Sequence, residues 1–176
     1  MFECRLYRKD GTQKKYLGLN EVSIQAGAAL RMLHLDLAIN GEPVTTYRCD
    51  GLIISTPVGS TAHSLAAGGP ILRQDLQAFV ITPICPHTLT IRPLVDRADC
   101  IYSLTSNEFP PGATLVVDGQ IKQPLCDGDR IEVRKANVSF QLARLLDHSY
   151  YATLHRKLGW GGLPHFENRE TLPGHS

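Results

Sequence analysis

An amide and a carboxylate stand side by side inside an apolar run, Leu19-Asn20-Glu21-Val22. An Asn side chain can both donate to and accept from the edge of a base, and a carboxylate next to it can accept from two hydroxyls. The same pair also suits a bulge or the solvent face of an edge strand. A second group of polar side chains, Ser60, Thr61 and Ser64, lies around the start of a short helix expected over Ala62 to Ala67. The first amides of a helix lack partners, and with hydroxyls beside them they suit a phosphate or a nucleoside. That spacing is equally the spacing of an ordinary strand-to-helix turn. No Gly-Lys-Ser/Thr closes the loop, and Gly59-Ser60 lacks the second glycine of a Gly-x-Ser-x-Gly elbow. A P-loop and a serine nucleophile are therefore both set aside. Cys85 and His87 suggest a thiol–imidazole couple, but they are one residue apart with no third group to orient them. They read as loop residues. Asp50 and Asp118 each precede a glycine and are turn formers first.

These residues need strands and turns to position them. Leu52, Ile53 and Ile54 form a continuous apolar run suited to an inner strand, with Asp50-Gly51 expected to supply a positive φ before it. Pro57 has no N–H and ends the ladder, Ser60 or Thr61 is expected to cap the helix, and Gly68-Gly69-Pro70 stops it. Such a helix is only ~10 Å long, so its value lies in what its first turn faces. Upstream, Glu3 to Arg8 alternates, Lys9 to Thr12 reads as a hairpin turn, and Tyr16 to Ile24 resumes an extended run. Leu33, Leu35, Leu37 and Ile39 alternate with His34, Asp36 and Ala38, and Asn40-Gly41 signals a hairpin returning through Val44 to Arg48.

Ala78 to Ile84 is a second apolar run, after which Pro83, Pro86 and Pro93 predict an irregular loop. Cys100 to Thr105, Ala113 to Val117, Ile121 to Leu125 and Ile131 to Lys135 read as short strands, and Val138 to Leu145 as a last one. Tyr150 to Leu158 has helical spacing, and the polar tail from Pro164 to Ser176 is expected to be disordered. About ten short strands, one inserted helix and one closing helix make a mainly β, β-sandwich-like domain.

The chain's 176 residues suffice for one well-buried domain. A formal charge of +1 gives no electrostatic case for nucleic acid or an anionic membrane. No apolar run is long enough to span a bilayer, and Met1 to Arg5 lacks the features of a signal peptide. The five cysteines are widely spread with no Cys-x-x-Cys, which fits reduced thiols in a cytoplasmic protein.

The stretch from Cys49 to Leu72 resembles the signature of the NAD kinase family, in which an Asp-Gly strand runs into Thr-Pro-x-Gly-Ser-Thr-Ala and on to Gly-Gly-Pro. Leu19 to Val22, Ile81 to Leu89, Arg92 to Val95, Val116 to Gln120 and Lys157 to Trp160 agree with further family blocks in the same order. The resemblance implies the C-terminal, substrate-binding domain of such an enzyme over residues 1–163. In that family the residues matching Asn20 and Glu21 hold the NAD adenosine. The one matching Asp50 contacts the nicotinamide riboside, in some members from a neighbouring subunit, which implies a homo-oligomer. Thr61 and Ala62 match contacts to the adenine and nucleoside, and Ala78 a small residue lining the nicotinamide end.

The chain departs from the family at His63, where an aromatic Tyr is usual, and at Ala66, where many bacterial members have a Ser that bonds adenine. Imidazole still stacks, although it is smaller and titrates near neutral pH. The Ala66 change removes one hydrogen bond, roughly 0.5–1.5 kcal/mol.

Such kinases transfer a phosphoryl group from ATP or polyphosphate, with Mg²⁺, to the ribose 2′-hydroxyl. The family draws the base and the phosphate-binding amides from an N-terminal ATP-binding domain with a Gly-Gly-Asp-Gly motif. This sequence has no Gly-Gly-Asp, its glycine pairs being Gly68-Gly69 and Gly161-Gly162. The expectation is an NAD-binding half that binds the nucleotide without turnover. Two further readings stay open: a non-catalytic nucleotide-binding or assembly module of the same fold, and a lipid kinase relative. The Thr-Ala loop and the Asn-Glu pair disfavour the latter.

Overall fold

A computed structural model describes residues 1–27, 32–141, 143 and 149–160. The chain divides into two compact units, Met1–Phe140 and Gln141–Ser176. The first holds two six-stranded antiparallel sheets, and among the described residues the strands number twelve against the ten or so expected.

The first sheet is ordered β2(Gln13–Gly18), β1(Phe2–Tyr7), β12(Arg130–Lys135), β9(Tyr102–Thr105), β4(Leu33–Ile39) and β5(Glu42–Cys49). The second is ordered β11(Ile121–Pro124), β10(Thr114–Val117), β3(Glu21–Gln25), β6(Gly51–Ser55), β7(Ala78–Ile84) and β8(Leu94–Arg97). The predicted alternation on β4 holds, with Leu33, Leu35 and Leu37 buried and His34 and Asp36 exposed. These leucines join Phe2, Leu6, Ile131 and Val133 from the first sheet and Ile24, Leu52, Ile54, Ile81 and Leu115 from the second in one core. Each such side chain contributes about 1.5–3 kcal/mol by leaving water. Phe79 and Tyr102 meet edge to face across the sheets, with ring centroids 5.6 Å apart.

Strand β6 is central and covered on both faces, which explains its unbroken apolar run: Leu52 and Ile54 enter the core, while Ile53 is buried outside it. Asn40 and Gly41 have φ of 52° and 85°, as a two-residue hairpin turn requires. Gly51 corrects one expectation. It does not have positive φ but is already strand, paired with Gln25 and Ile84, and Asp50 extends the ladder by donating to the Ile84 carbonyl. Glycine is needed there for room, since a Cβ would stand 2.9 Å from the Ile24 carbonyl oxygen.

Two more expectations change. The run from Tyr16 to Ile24 is two strands, broken at Leu19-Asn20. Pro83 lies inside β7; β8 pairs only with Ala78 to Ile81, so the missing N–H falls beyond that neighbour. Of the expected strand from Val138 to Leu145, residues 138–141 and 143 have no strand conformation, and the rest lie outside the described residues.

In the second unit, α2(Tyr150–Leu158) has the predicted bounds. The Ser149 hydroxyl caps it by accepting from the Ala152 amide, and Gly159 ends it with φ 65°. Residues 164–176, expected to be disordered, lie outside the described residues. No described helix is long and apolar enough to cross a membrane.

Candidate functional site

Strand β3 begins at Glu21, and the two residues before it are gripped from both sides. Asp118 and Gly119 form the tight turn between β10 and β11, with φ of 49° and 70°. That turn presents the Asp118 carboxylate to the break between β2 and β3. One of its oxygens accepts from the Leu19 amide at 2.7 Å, and the other from Asn20 and Glu21 at 2.8 and 3.0 Å. On the far side, at the end of β6, the Thr56 amide donates to the Asn20 carbonyl at 2.9 Å. The Thr56 hydroxyl donates to the Leu19 carbonyl at 2.6 Å and accepts from the Gly59 amide at 3.2 Å. Gly59 lies directly on Asn20: a Cβ there would come within 2.2 Å of the Asn20 carbonyl oxygen. The Asn-Glu pair and the loop that starts at Thr56 are thus in direct contact.

The loop differs in detail from its expected form. A 3₁₀ turn, Gly59–Thr61, precedes a single helical turn, α1(His63–Ala66), and no side chain caps either. The amides of Ser60 and Ala62 already donate to the carbonyls of Thr56 and Gly59. Ser60 is buried; its hydroxyl donates to the Pro57 carbonyl at 2.7 Å and accepts from the Leu72 amide at 2.9 Å. Ser64 is buried too, its hydroxyl 3.0 Å from that of Thr82 on β7, and Gly69 leaves room for this pair. Two of the three expected ligand-facing hydroxyls therefore hold the loop to the sheet. Thr61 alone of the three is partly exposed, donating at 3.3 Å to the Val58 carbonyl.

Glu21 carries the electrostatic anomaly. It is only 8% exposed, and among the described residues its Oε2 is the buried side-chain oxygen with no hydrogen-bond partner. Burial pushes its carboxyl above the ordinary range, and the nearby Asp118 charge pushes it the same way. A buried carboxylate oxygen without a donor is costly, so it suits hydroxyls arriving from outside the chain.

The remaining candidates divide by position. Ala78, at the start of β7, lines a cavity of about 100 Å³ together with Leu19, Thr56, Pro57 and Val58. Ala62, His63 and Ala66 are exposed along and just before α1. Asp50 stands at the opposite end of β6, about 20 Å of extended chain from Thr56, and is not brought to the others. There its carboxylate meets His87 Nε2 at 3.3 Å, both side chains being largely exposed. A larger cavity, about 530 Å³ and lined by His34, Asp36, Thr46 and Glu108, contains none of the candidates. Among the described residues no group of three or more His, Cys, Asp or Glu side chains could hold a metal ion.

Thr56 and the gripping role of Asp118 were not foreseen from the sequence. A threonine between a buried strand and a proline was the available signal for Thr56. Nothing local reveals Asp118, which bonds residues 97 to 99 positions away.

A mainly β domain in which an Asn-Glu pair, its Glu buried, closes on a Thr-Pro-x-Gly-Ser-Thr loop defines a class, and comparison with known proteins supplies its members. The family model of the ATP-NAD kinase C-terminal domain matches residues 19–145. The chain belongs to the NAD kinase family. It is 51% identical over 162 residues to the NAD kinase of Rhodopirellula baltica, covering 92% of this chain and 52% of that protein. With the NAD kinase of Koribacter versatilis the identity is 42% over 161 residues, covering 92% and 56%. The chain thus spans about half the length of these curated relatives.

Among solved structures it is similar to yeast NADH kinase complexed with NADH, with TM-score 0.72 and 35% identity over 76% of this chain and 39% of that one. An NAD kinase from Archaeoglobus fulgidus in complex with ATP gives TM-score 0.63 and 29% identity, over 76% and 51%.

Proposed function

We propose that this chain is the NAD-binding half of an NAD kinase and that alone it binds NAD without converting it. The observation that carries this reading is the unpartnered Glu21 oxygen beside Asn20, buried where the Thr56–Thr61 loop closes over the pair. In the proposed complex Glu21 accepts from the adenosine ribose hydroxyls, and the Asn20 amide and the Thr61 hydroxyl meet the adenine and nucleoside. Ala62 and Ala66 leave room, His63 stacks, and Ala78 lines the nicotinamide end. Transfer to the 2′-hydroxyl needs a base and phosphate-binding amides, which the family takes from a Gly-Gly-Asp-Gly domain; ATP or polyphosphate, with Mg²⁺, is the donor for the complete enzyme. The position of Asp50 at the far end of β6 favours its serving the pocket of a second copy, hence a homo-oligomer. The free cysteines, with Cys4 and Cys49 pushed by burial to about 12, suit the reducing cytoplasm.

Calorimetry with NAD on the wild type and on Asn20→Ala tests the binding, and incubation with NAD, ATP and Mg²⁺ tests the turnover. The expected outcome is heat with the wild type, at least about tenfold weaker binding in the variant, and no NADP. NADP formed by this chain alone contradicts the division of labour. A second reading, a non-catalytic nucleotide-binding or assembly module, is favoured by exposed His63 and Ala66 at the departures from the family pattern. No heat with either protein leaves the assembly role.

A further inference from the structure

The strongest feature outside the site's proposed contacts is the Asp118 carboxylate, which spends both oxygens on the backbone before and at the start of β3. We propose that Asp118 is a positioning residue for the Asn20–Glu21 pair, its grip on the Leu19–Glu21 amides fixing where Glu21 stands to meet a ligand's hydroxyls and its negative charge facing Glu21 across that grip. The inference rests on the nucleotide-binding reading above and deepens it.

Three observations carry it. The amides of Leu19, Asn20 and Glu21 converge on one carboxylate within 3.0 Å, which fixes the peptide planes across the break between β2 and β3. The grip is reciprocal, for the Asp118 amide donates to the Glu21 carbonyl at 2.9 Å. And the Glu21 oxygen that lacks a donor lies on the residue so held. Asp118 is the titratable group acting on Glu21 from the β10–β11 turn. Ser55 from β6, and Thr56 and Gly59 just beyond it, carry no charge. An ionised neighbour keeps Glu21 reluctant to ionise until a ligand donates to it, so nucleotide binding weakens as the pH falls through the raised Glu21 midpoint.

Asp118→Asn removes the charge and one of the two acceptors while nearly preserving shape. The first measurement needs no ligand: carboxyl-detected NMR titration of Glu21 in the wild type and in Asp118→Asn. The expected result is a lower Glu21 midpoint in the variant. In parallel the Kd for NAD rises about tenfold at neutral pH, and its acid limb moves to lower pH. A merely structural role predicts weakening by one factor at every pH with the Glu21 midpoint unmoved, and that result overturns the proposal.

If the variant fails to fold, the wild type still decides. Across the pH range in which Glu21 titrates, the amide signals of Leu19, Asn20 and Glu21 should move together, and independent movement contradicts the grip. Absence of NAD binding by the wild type at any pH instead counts against the proposed function, while the midpoint and amide shifts still settle whether Asp118 holds the pair.

Discussion

Two buried glutamates, one on each sheet, show how the two halves of the sandwich differ. Glu3 on β1 is 6% exposed and Glu21 on β3 is 8% exposed. Burial alone raises a carboxyl pKa, yet hydrogen bonds from Lys15, Arg134 and Arg5 overcome it at Glu3 and bring the group to about 2. At Glu21 burial and the Asp118 charge act in the same direction and nothing opposes them. At similar solvent exposure the partners differ: three cations meet Glu3, whereas Glu21 faces the Asp118 charge. The first sheet compensates its charge from within the chain, as a structural face does. The second leaves a carboxylate oxygen unpartnered beside a loop gripped in place, which is how a site differs from a scaffold.

The largest break in this contrast should come from Gly59→Ala. Its Cβ would overlap the Asn20 backbone, so loop and pair must separate. We expect a loss of about 3 kcal/mol in a urea melt, with loss of NAD binding. Glu3→Gln comes next. Because the folded pKa is depressed, the stability from Glu3 is present above the unfolded value near 4.5 and lost as the pH falls towards about 2. Allowing for partly exposed cations, the variant should lose about 2 kcal/mol above pH 5, the difference vanishing in strong acid.

Glu21→Gln should act in the opposite sense. A raised folded pKa means that stability is lost as the pH rises through it, so removing the charge should stabilise the protein at neutral pH and leave it unchanged in acid. Loss of stability there would erase the distinction between the two glutamates. Ser64→Ala should have the smallest effect, leaving the Thr82 hydroxyl unpaired for about 1 kcal/mol without weakening NAD binding. A large loss of affinity would return Ser64 to the ligand.

What the sequence made legible was whatever depends on neighbours in the chain. The alternation on β4, the Asn40-Gly41 hairpin and the bounds of α2 follow from local periods and turn chemistry, and they are observed. The union of Asn20 with the loop was legible only through the ordered motifs, because contacts made across the sheet leave no mark in local spacing. Residue type also misled where its direction mattered. A hydroxyl in a polar loop can face a ligand or the protein, and Ser60 and Ser64 face the protein because Leu72 and Thr82 complete their hydrogen bonds. Gly51 has the look of a turn residue when it is a crowded strand position, since glycine serves both needs. Asp50 belongs to the motif in sequence yet lies a strand's length from Thr61.

The open carboxylate of Glu21 and the loop beside it are proposed to form an NAD site. The thermal midpoint of the wild type and of Glu21→Gln at neutral pH, with and without NAD, tests it most directly. NAD is expected to raise Tm in the wild type alone, and the variant without ligand is expected to melt already at a higher temperature. Equal stabilisation of both proteins by NAD would contradict it.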